Sequence, residues 1–411
     1  MITLIEALNY RSLKYVSQPL ANFHILVGAN ASGKSNFLDV IAFLGRLVSS
    51  DLGVAIDERS YTQNFADLVW GRPTLESSLN FELAIEALIP AKRRVNSAYD
   101  TIRYQVNIGI ADGKLAILDE RIWLKTSQNL VKSDVQPTTL LSSQTTSNYL
   151  VLSKDKNGVT QFYPEESSVS SNFSSIKFGF ATHKSGLSEL PEDQSLFPAA
   201  TWLKDLLTKG IQFISLNSQV LATPNLVYDR SNNGDRRLDL VSLFVSLQKD
   251  SKSQFKDWLK HVRTALPDLK GIKVMKRPEE GKHYLMLVYK NGLQIPSWMA
   301  SDGTLRLLAL TILVYAPNPK AIYMIEEPEN GIHPLAIETI FHSLISAYHS
   351  QILLATHSTA IVNLAEPNQL LCFAKTDEGA TIIISGEQHP ILKEWDGEVV
   401  LGDFFASGVL S

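Results

Sequence analysis

The stretch Gly28-Ala29-Asn30-Ala31-Ser32-Gly33-Lys34-Ser35 sets two glycines, with four residues between them, ahead of a Lys and a Ser. Glycine lets a backbone turn tightly and approach an anion without a Cβ in the way. Amides facing inward along such a turn form a nest for phosphate oxygens. Lys34 then reaches the β- and γ-phosphates of a nucleotide, and the Ser35 hydroxyl suits Mg²⁺. A glycine turn that binds nothing is the alternative, and the flanks weigh against it. Residues 23–27 are a short apolar run that reads as a buried parallel strand, and residues 36–49 carry helical spacing. The loop then runs into the positive end of a helix dipole.

A second group of chemically capable residues lies far downstream. Ala321-Ile322-Tyr323-Met324-Ile325 is an uncharged strand that ends in Glu326-Glu327-Pro328-Glu329. A carboxylate at the tip of a buried strand suits Mg²⁺ coordination through water. Glu326 is assigned to the metal and Glu327 to aligning the attacking water. The usual residue at the first position is Asp; Glu is one methylene longer, which shifts the metal shell. Pro328 stops the strand. Ser301-Asp302-Gly303-Thr304 opens a helix over 305–314, with Ser301 as N-cap. Such a helix start binds phosphate, or is an ordinary capped helix. Gln351-Ile352-Leu353-Leu354-Ala355 is a third apolar strand, tipped by Thr356-His357-Ser358. His357 there either senses a γ-phosphate oxygen or is structural. His333, in Gly331-Ile332-His333-Pro334, reads as a turn or packing residue.

The elements that must position these groups follow from the pattern. Residues 2–8 and 13–16 read as strands. From 78 to 125 the chain alternates, with a hairpin signal at Ala111-Asp112-Gly113-Lys114. That is an antiparallel sheet with one wet face. Residues 126–176 are rich in Ser, Thr, Asn and Gln, with a hairpin turning at Lys156-Asn157-Gly158. Residues 196–209 and 237–266 carry helical spacing: Leu240, Leu243, Phe244 and Leu247 share one face, and Phe255, Trp258, Leu259 and Val262 another. Strands resume over 272–275, 284–289 and 293–295. Residues 369–373 and 381–384 form a late hairpin. Gln63, in the loop 57–71, stands where a glutamine contacting Mg²⁺ and water is expected in this kind of site; a solvated loop glutamine is the alternative.

Bulk composition limits the function classes. The 411 residues are 45% hydrophobic and 19% charged, an ordinary globular balance. A net charge of −4 gives no overall pull toward nucleic acid. Local basic runs remain at Lys92-Arg93-Arg94 and, more loosely, at Lys270, Lys273, Lys276, Arg277 and Lys282; each is a phosphate track or a solvated face. A single cysteine, Cys372, rules out internal disulfides and cysteine-based zinc sites. No apolar run reaches membrane-span length, and the start of the chain has no signal-peptide layout. A reducing cytoplasm is the expected compartment.

Taken in order, these pieces resemble the ABC-type AAA ATPases, in the branch that contains RecF, the SMC proteins and the OLD-family nucleases. Residues 28–36 correspond to Walker A, with Asn36 after the Ser; Ser301-Asp302-Gly303-Thr304 to the signature; residues 325–329 to Walker B; and Thr356-His357-Ser358 to the switch. Asn9-Tyr10-Arg11-Ser12-Leu13 and the run from Glu327 to Pro334 look like stand-alone AAA ATPases of prokaryotic anti-phage defence operons. The resemblance covers roughly residues 1–75 and 285–411. It implies an α/β fold: a P-loop NTPase with an ABC-ATPase-like core split across those two stretches, an antiparallel β subdomain over 76–180 and a helical insertion over 181–284.

The resemblance also implies a mechanism. Two copies meet head to tail, and ATP with Mg²⁺ at one Walker A is closed by Ser301 and Gly303 of the other copy. Asn330 lies in the D-loop of that interface, and hydrolysis through Glu327 releases the clamp. Ala31 stands where many relatives have Gly, and is tolerated if its φ stays negative. No nuclease carboxylate cluster follows the ATPase motifs, so a separate effector, such as a nuclease, is expected. Two other readings stay open. One is an assembly scaffold with incidental hydrolysis. The other is a transporter nucleotide-binding subunit, which the long stretch between Walker A and the signature argues against.

Overall fold

A computed structural model describes residues 1–60, 62–72, 79–127, 136–141, 148–168, 175–191, 193, 195–214, 216, 221–224, 240–277, 280–315, 322–347, 349–395 and 399–410. Residues 237–239, Ala321 and much of 126–176, to which elements or loops were assigned above, lie outside that set. The chain divides into two compact units. The first comprises Met1–Ala21, Ala29–Ile211 and Phe373–Ile384; the second comprises Asn22–Gly28, Gln212–Cys372 and Ser385–Ser411.

The first unit is built on an eight-stranded sheet, order β2-β1-β4-β5-β6-β7-β8-β9. Its strands are β1 (Ile2–Tyr10), β2 (Leu13–Pro19), β4 (Asn80–Leu88), β5 (Thr101–Ala111), β6 (Lys114–Lys125), β7 (Tyr149–Asp155), β8 (Val159–Phe162) and β9 (Ile176–Gly179). Every pairing in this sheet is antiparallel. The alternating run from residue 79 therefore does not make a sheet of its own, because β4 pairs with β1 from Ile2 to Leu8. Helix α1 (Lys34–Ser49) buries most of its length, including Phe37, Ile41, Phe43 and Leu47. Phe43 and Tyr10 both pack on Phe81, at 5.5 and 4.9 Å between ring centroids, which fixes α1 to the sheet. A short helix α2 (Leu52–Asp57) follows. Helix α3 (Pro198–Asp205) runs into a single wide turn, Leu206–Gly210.

In the second unit the strand order is β10-β14-β15-β3-β16. The strands are β3 (Phe23–Gly28), β10 (Ile211–Ile214), β14 (Ile322–Glu326), β15 (Gln351–Ala355) and the start of β16 (Leu370–Lys375). Strands β14, β15 and β3 are parallel neighbours. Their continuous apolar sequences suit a sheet covered on both faces. The second half of β16 turns into β17 (Thr381–Ser385), within the first unit up to Ile384. The helical spacing over 237–266 resolves into α4 (Leu240–Asp250) and α5 (Lys252–Ala265), broken at Ser251. Trp258 of α5 is fully buried, and its indole N–H donates to Thr311 Oγ1 of α6 (Asp302–Tyr315) at 3.0 Å. Helices α7 (Pro334–Ile345) and α8 (Thr359–Asn363) complete this core, and a three-stranded sheet β11-β12-β13 (Leu269–Lys276, His283–Tyr289, Gln294–Pro296) adjoins it.

Candidate active site

The phosphate-loop sequence folds as a nest. Gly28, Ala31 and Gly33 have φ of 149°, 60° and 108°. The condition set for tolerating Ala31, a negative φ, is not met. The tight turn needs a left-handed residue there, and alanine adopts that at a cost of about 1 kcal/mol or more. Ser32 N donates to Ala29 O at 3.2 Å, and Phe37 N to Gly33 O at 2.9 Å opens the helix. Lys34 Nζ donates to Ala29 O at 3.0 Å, so the ammonium folds back along its own loop. Ser32 Oγ is buried without a partner among the described residues. An orphaned buried hydroxyl in a loop of glycines and left-handed turns fits an incoming phosphate. Ala29, Asn30, Ala31 and Ser35 face solvent.

A chain of side-chain bonds braces this loop. Asn36 Nδ2 donates to Ser12 Oγ at 2.7 Å. Ser12 Oγ is 2.8 Å from Thr381 Oγ1, which donates to Ser32 O at 2.9 Å. Because Thr381 gives its one hydroxyl proton to Ser32 O, Ser12 is the donor to Thr381, and the direction of every bond is set. Arg11 Nη1 donates to Asn36 Oδ1 at 3.3 Å and pairs with Asp39 at 3.4 Å. Asp39 also takes Arg59 at 2.8 Å and the Tyr10 hydroxyl at 2.6 Å. Burial, with the Asp39 carboxylate beside it, pushes the Tyr10 phenol well above its usual range, so it remains a donor. Gly33 has no room to change: a Cβ there would lie 2.1 Å from Thr381 Oγ1.

The carboxylate group lies in the second unit. Leu26 of β3 is level with Ala355 of β15, and Ala355 with Glu326 of β14. Gly28, His357 and Glu327 thus leave their strands at one carboxyl edge, where parallel sheets bind ligands. Glu326 and Glu327 are both exposed. Glu327 has φ of 47°, and its N donates to Ala355 O at 2.8 Å. A non-glycine residue held there stores strain, as functional positions often do. Asn330 Nδ2 donates to Glu327 Oε2. Glu329 Oε1 accepts from Thr356 Oγ1 at 2.7 Å and from His357 N at 3.1 Å, while its Oε2 is buried without a partner among the described residues.

Helix α6 starts as expected. Ser301 Oγ accepts from Thr304 N at 3.2 Å, and Ser301 O from Leu305 N at 3.1 Å. Gly303 lies against the Glu327–Gly331 turn, where an added Cβ would be 2.6 Å from Gly331 O. Arg306 Nη1 donates to Asn330 O. The structure therefore brings Ser301, Gly303, Glu327, Asn330 and His357 into one connected corner. Gln63 is exposed in a turn at φ of 55°, and its N donates to Ser60 O at 3.3 Å. His333 is exposed, and its carbonyl accepts from Ala336 N at 2.8 Å in the turn before α7.

Sequence reasoning gave no role to Ser12, Thr381, Glu329 or Arg306. Ser12 and Glu329 stood inside quoted motifs, which was the available signal. Thr381 and Arg306 had none. Among the described residues no cluster of three or more His, Cys, Asp or Glu side chains is arranged to hold a metal. A Mg²⁺ bound mainly through nucleotide and water, with only Ser35 and Glu326 from the protein, is compatible with that.

A family model described as "AAA domain, putative AbiEii toxin, Type IV TA system" matches residues 23–363. No curated protein matches the chain. Among solved structures, an Smc head bound to the C-winged helix domain of ScpA is similar with a TM-score of 0.55 at 14% identity, over 93% of this chain and 96% of that one. An Smc head domain with an extended coiled coil, bound to a ScpA C-terminal domain derived from Pyrococcus furiosus, gives 0.49 at 13% identity over 96% and 98%. The first likeness establishes an α/β P-loop fold of the ABC-like head type.

Proposed function

The chain belongs to that AAA-domain family, and on that premise we propose that it is an ATP-hydrolysing switch whose copies close head to tail around ATP. Residues 28–36 bind the nucleotide phosphates, with Lys34 moving from Ala29 O to the β- and γ-phosphates. Ser35 and Glu326 hold Mg²⁺, which when bound offsets the phosphate charge. Glu327 aligns and deprotonates water, His357 hydrogen-bonds the γ-phosphate, and Ser301 and Gly303 serve the nucleotide of the neighbouring copy. The observation that carries the reading is the shared carboxyl edge of β3, β15 and β14, which delivers Gly28, His357 and the Glu326-Glu327 pair.

We assign the ATPase core to residues 1–75 and 285–411, with the β subdomain over 76–180 and the helical insertion over 181–284. A cytoplasmic role in DNA maintenance or anti-phage defence, with a separate effector protein, completes the proposal. The toxin–antitoxin system in the family's description supports the defence role, and the ScpA domain on the similar Smc head supports a protein partner. No helix among the described residues is long and apolar enough to cross a membrane.

The test is the mass in solution, with and without ATP, of wild type and Glu327→Gln. Phosphate release should fall about 100-fold or more in the variant, the size of a lost general base. The variant should stay trapped as a larger assembly in ATP, while wild type relaxes as phosphate appears. A mass that ignores ATP in both proteins would overturn the clamp. Retained biological activity in the variant would favour the scaffold.

A further inference from the structure

The small sheet β11-β12-β13 has two apolar faces, and only one of them is used by the core. Ile272, Leu285 and Leu287 point inward and are buried. The opposite face places Lys273 across from Met286, and Met275 across from Tyr284. Met286 is in turn opposite Pro296, and Val288 opposite Gln294. The turn after β13 adds Trp298, whose ring stacks on Tyr284 at 4.7 Å between centroids, tilted 54°. The Arg277 guanidinium sits 4.5 Å from the Trp298 centroid. Four of the thirteen exposed large apolar side chains among the described residues belong to this sheet and its connecting turns: Met275, Leu293, Trp298 and Met299. Met299 is 70% exposed and Trp298 41%, so Trp298 keeps an open part of its surface beyond its contacts with Tyr284 and Arg277.

Charge says what would cover this face. Residues 269–299 hold six Lys and Arg against two Glu, in a chain whose net charge is −4. Glu280 pairs with Lys282 at 2.8 Å and Arg277 at 3.3 Å. On the outer face Lys273 is exposed and makes no ion pair among the described residues, whereas Lys276 alternates onto the side of Ile272, at the end of the strand. The outer face thus sets Lys273 and Arg277 beside a Trp-Tyr pair, which suits an anionic partner that offers flat groups to the rings. Single-stranded nucleic acid has both properties, because its bases stack on exposed aromatics while cations follow the backbone. We propose that the outer face of β11-β12-β13, centred on Trp298, Tyr284, Arg277 and Lys273, is a binding platform for single-stranded nucleic acid. It does not depend on the ATPase reading and is tested without nucleotide.

The probe is a fluorescein-labelled oligothymidylate of about 20 nucleotides, with oligouridylate of equal length to separate DNA from RNA. Anisotropy is read with the full-length chain. Binding should be measurable at low salt and weaken by tenfold or more between about 50 and 200 mM salt. Trp298→Ala should weaken it by about tenfold. Lys273→Glu, on a solvent-facing position that cannot unfold the sheet's core, should weaken it further at low salt and flatten the salt dependence. Lys92→Glu, in the other basic run, should change little. Absence of binding to either probe at roughly 50 µM protein overturns the proposal. So does binding that is indifferent to both Trp298→Ala and Lys273→Glu. Equal competition by polyglutamate would also overturn it and point to an acidic protein segment.

Discussion

The loop at the end of β3 and the corner at the end of β14 are built in opposite ways. The loop is braced from outside itself: Asn36, Ser12 and Thr381 pass hydrogen bonds to Ser32 O, and Thr381 closes on Gly33. The corner is braced mostly from within, by Asn330 on Glu327 and by Glu329 on Thr356 and His357, with both leading carboxylates in solvent. A preformed anion nest lowers the reorganisation needed on binding. The Glu327 carboxylate is exposed and accepts from Asn330, so the corner itself uses only part of its hydrogen-bonding capacity. Under the proposed function, the contrast puts affinity in the loop and turnover in the corner.

The largest expected effect comes from attacking the loop at its tightest point. Gly33→Ala places a methyl on Thr381 at a φ that disfavours alanine, and should reduce affinity for a fluorescent ATP analogue by about 100-fold or more. Retained affinity would mean the bracing is dispensable. Next is the corner. Gly303→Ala pushes on the Gly331 carbonyl and should cut phosphate release by about tenfold or more while affinity changes less than about twofold, a split that reads loss of transition-state contacts rather than of binding. Equal losses in both quantities would erase the division of labour.

Smaller effects sharpen the same contrast. Glu329→Gln keeps one acceptor for Thr356 and removes a buried charge; turnover should drop by roughly threefold to tenfold, again with affinity preserved. The smallest effect has the opposite sign. Ala31→Gly relieves a left-handed alanine, and nucleotide affinity should rise about threefold to fivefold in an equilibrium titration. A fall instead would show that a stiffer empty loop is worth more than the relieved strain.

What the sequence disclosed follows the range of the interactions. The phosphate loop lies in contiguous residues, and the Glu326-Glu327 tip follows directly from an uncharged strand, so both were legible. The Ser12–Thr381 bond spans 369 positions and carries no local pattern. Two features were also hidden in short-range sequence. The sign of φ at Ala31 depends on how the whole loop closes, and alanine gives no warning of it. The union of β1 and β2 with β4 through β9 is a pairing choice, and alternation in β4 is equally consistent with any neighbour. The break at Ser251 fell inside a continuous helical spacing, because α4 and α5 each keep their own apolar face.

The start of α6 and the turn after β14 share three points of attachment: Gly303 against the Gly331 carbonyl, Arg306 on Asn330 O, and Asn330 on the Glu327 carboxylate. Attachments made in series along a short turn pass a displacement of one segment on to the other. A pull on residue 302 or 303 therefore arrives at the Glu327 oxygen with little slack, like a rod acting on a crank. Whatever docks at the beginning of this helix does not need to touch the Glu327 carboxylate in order to move it.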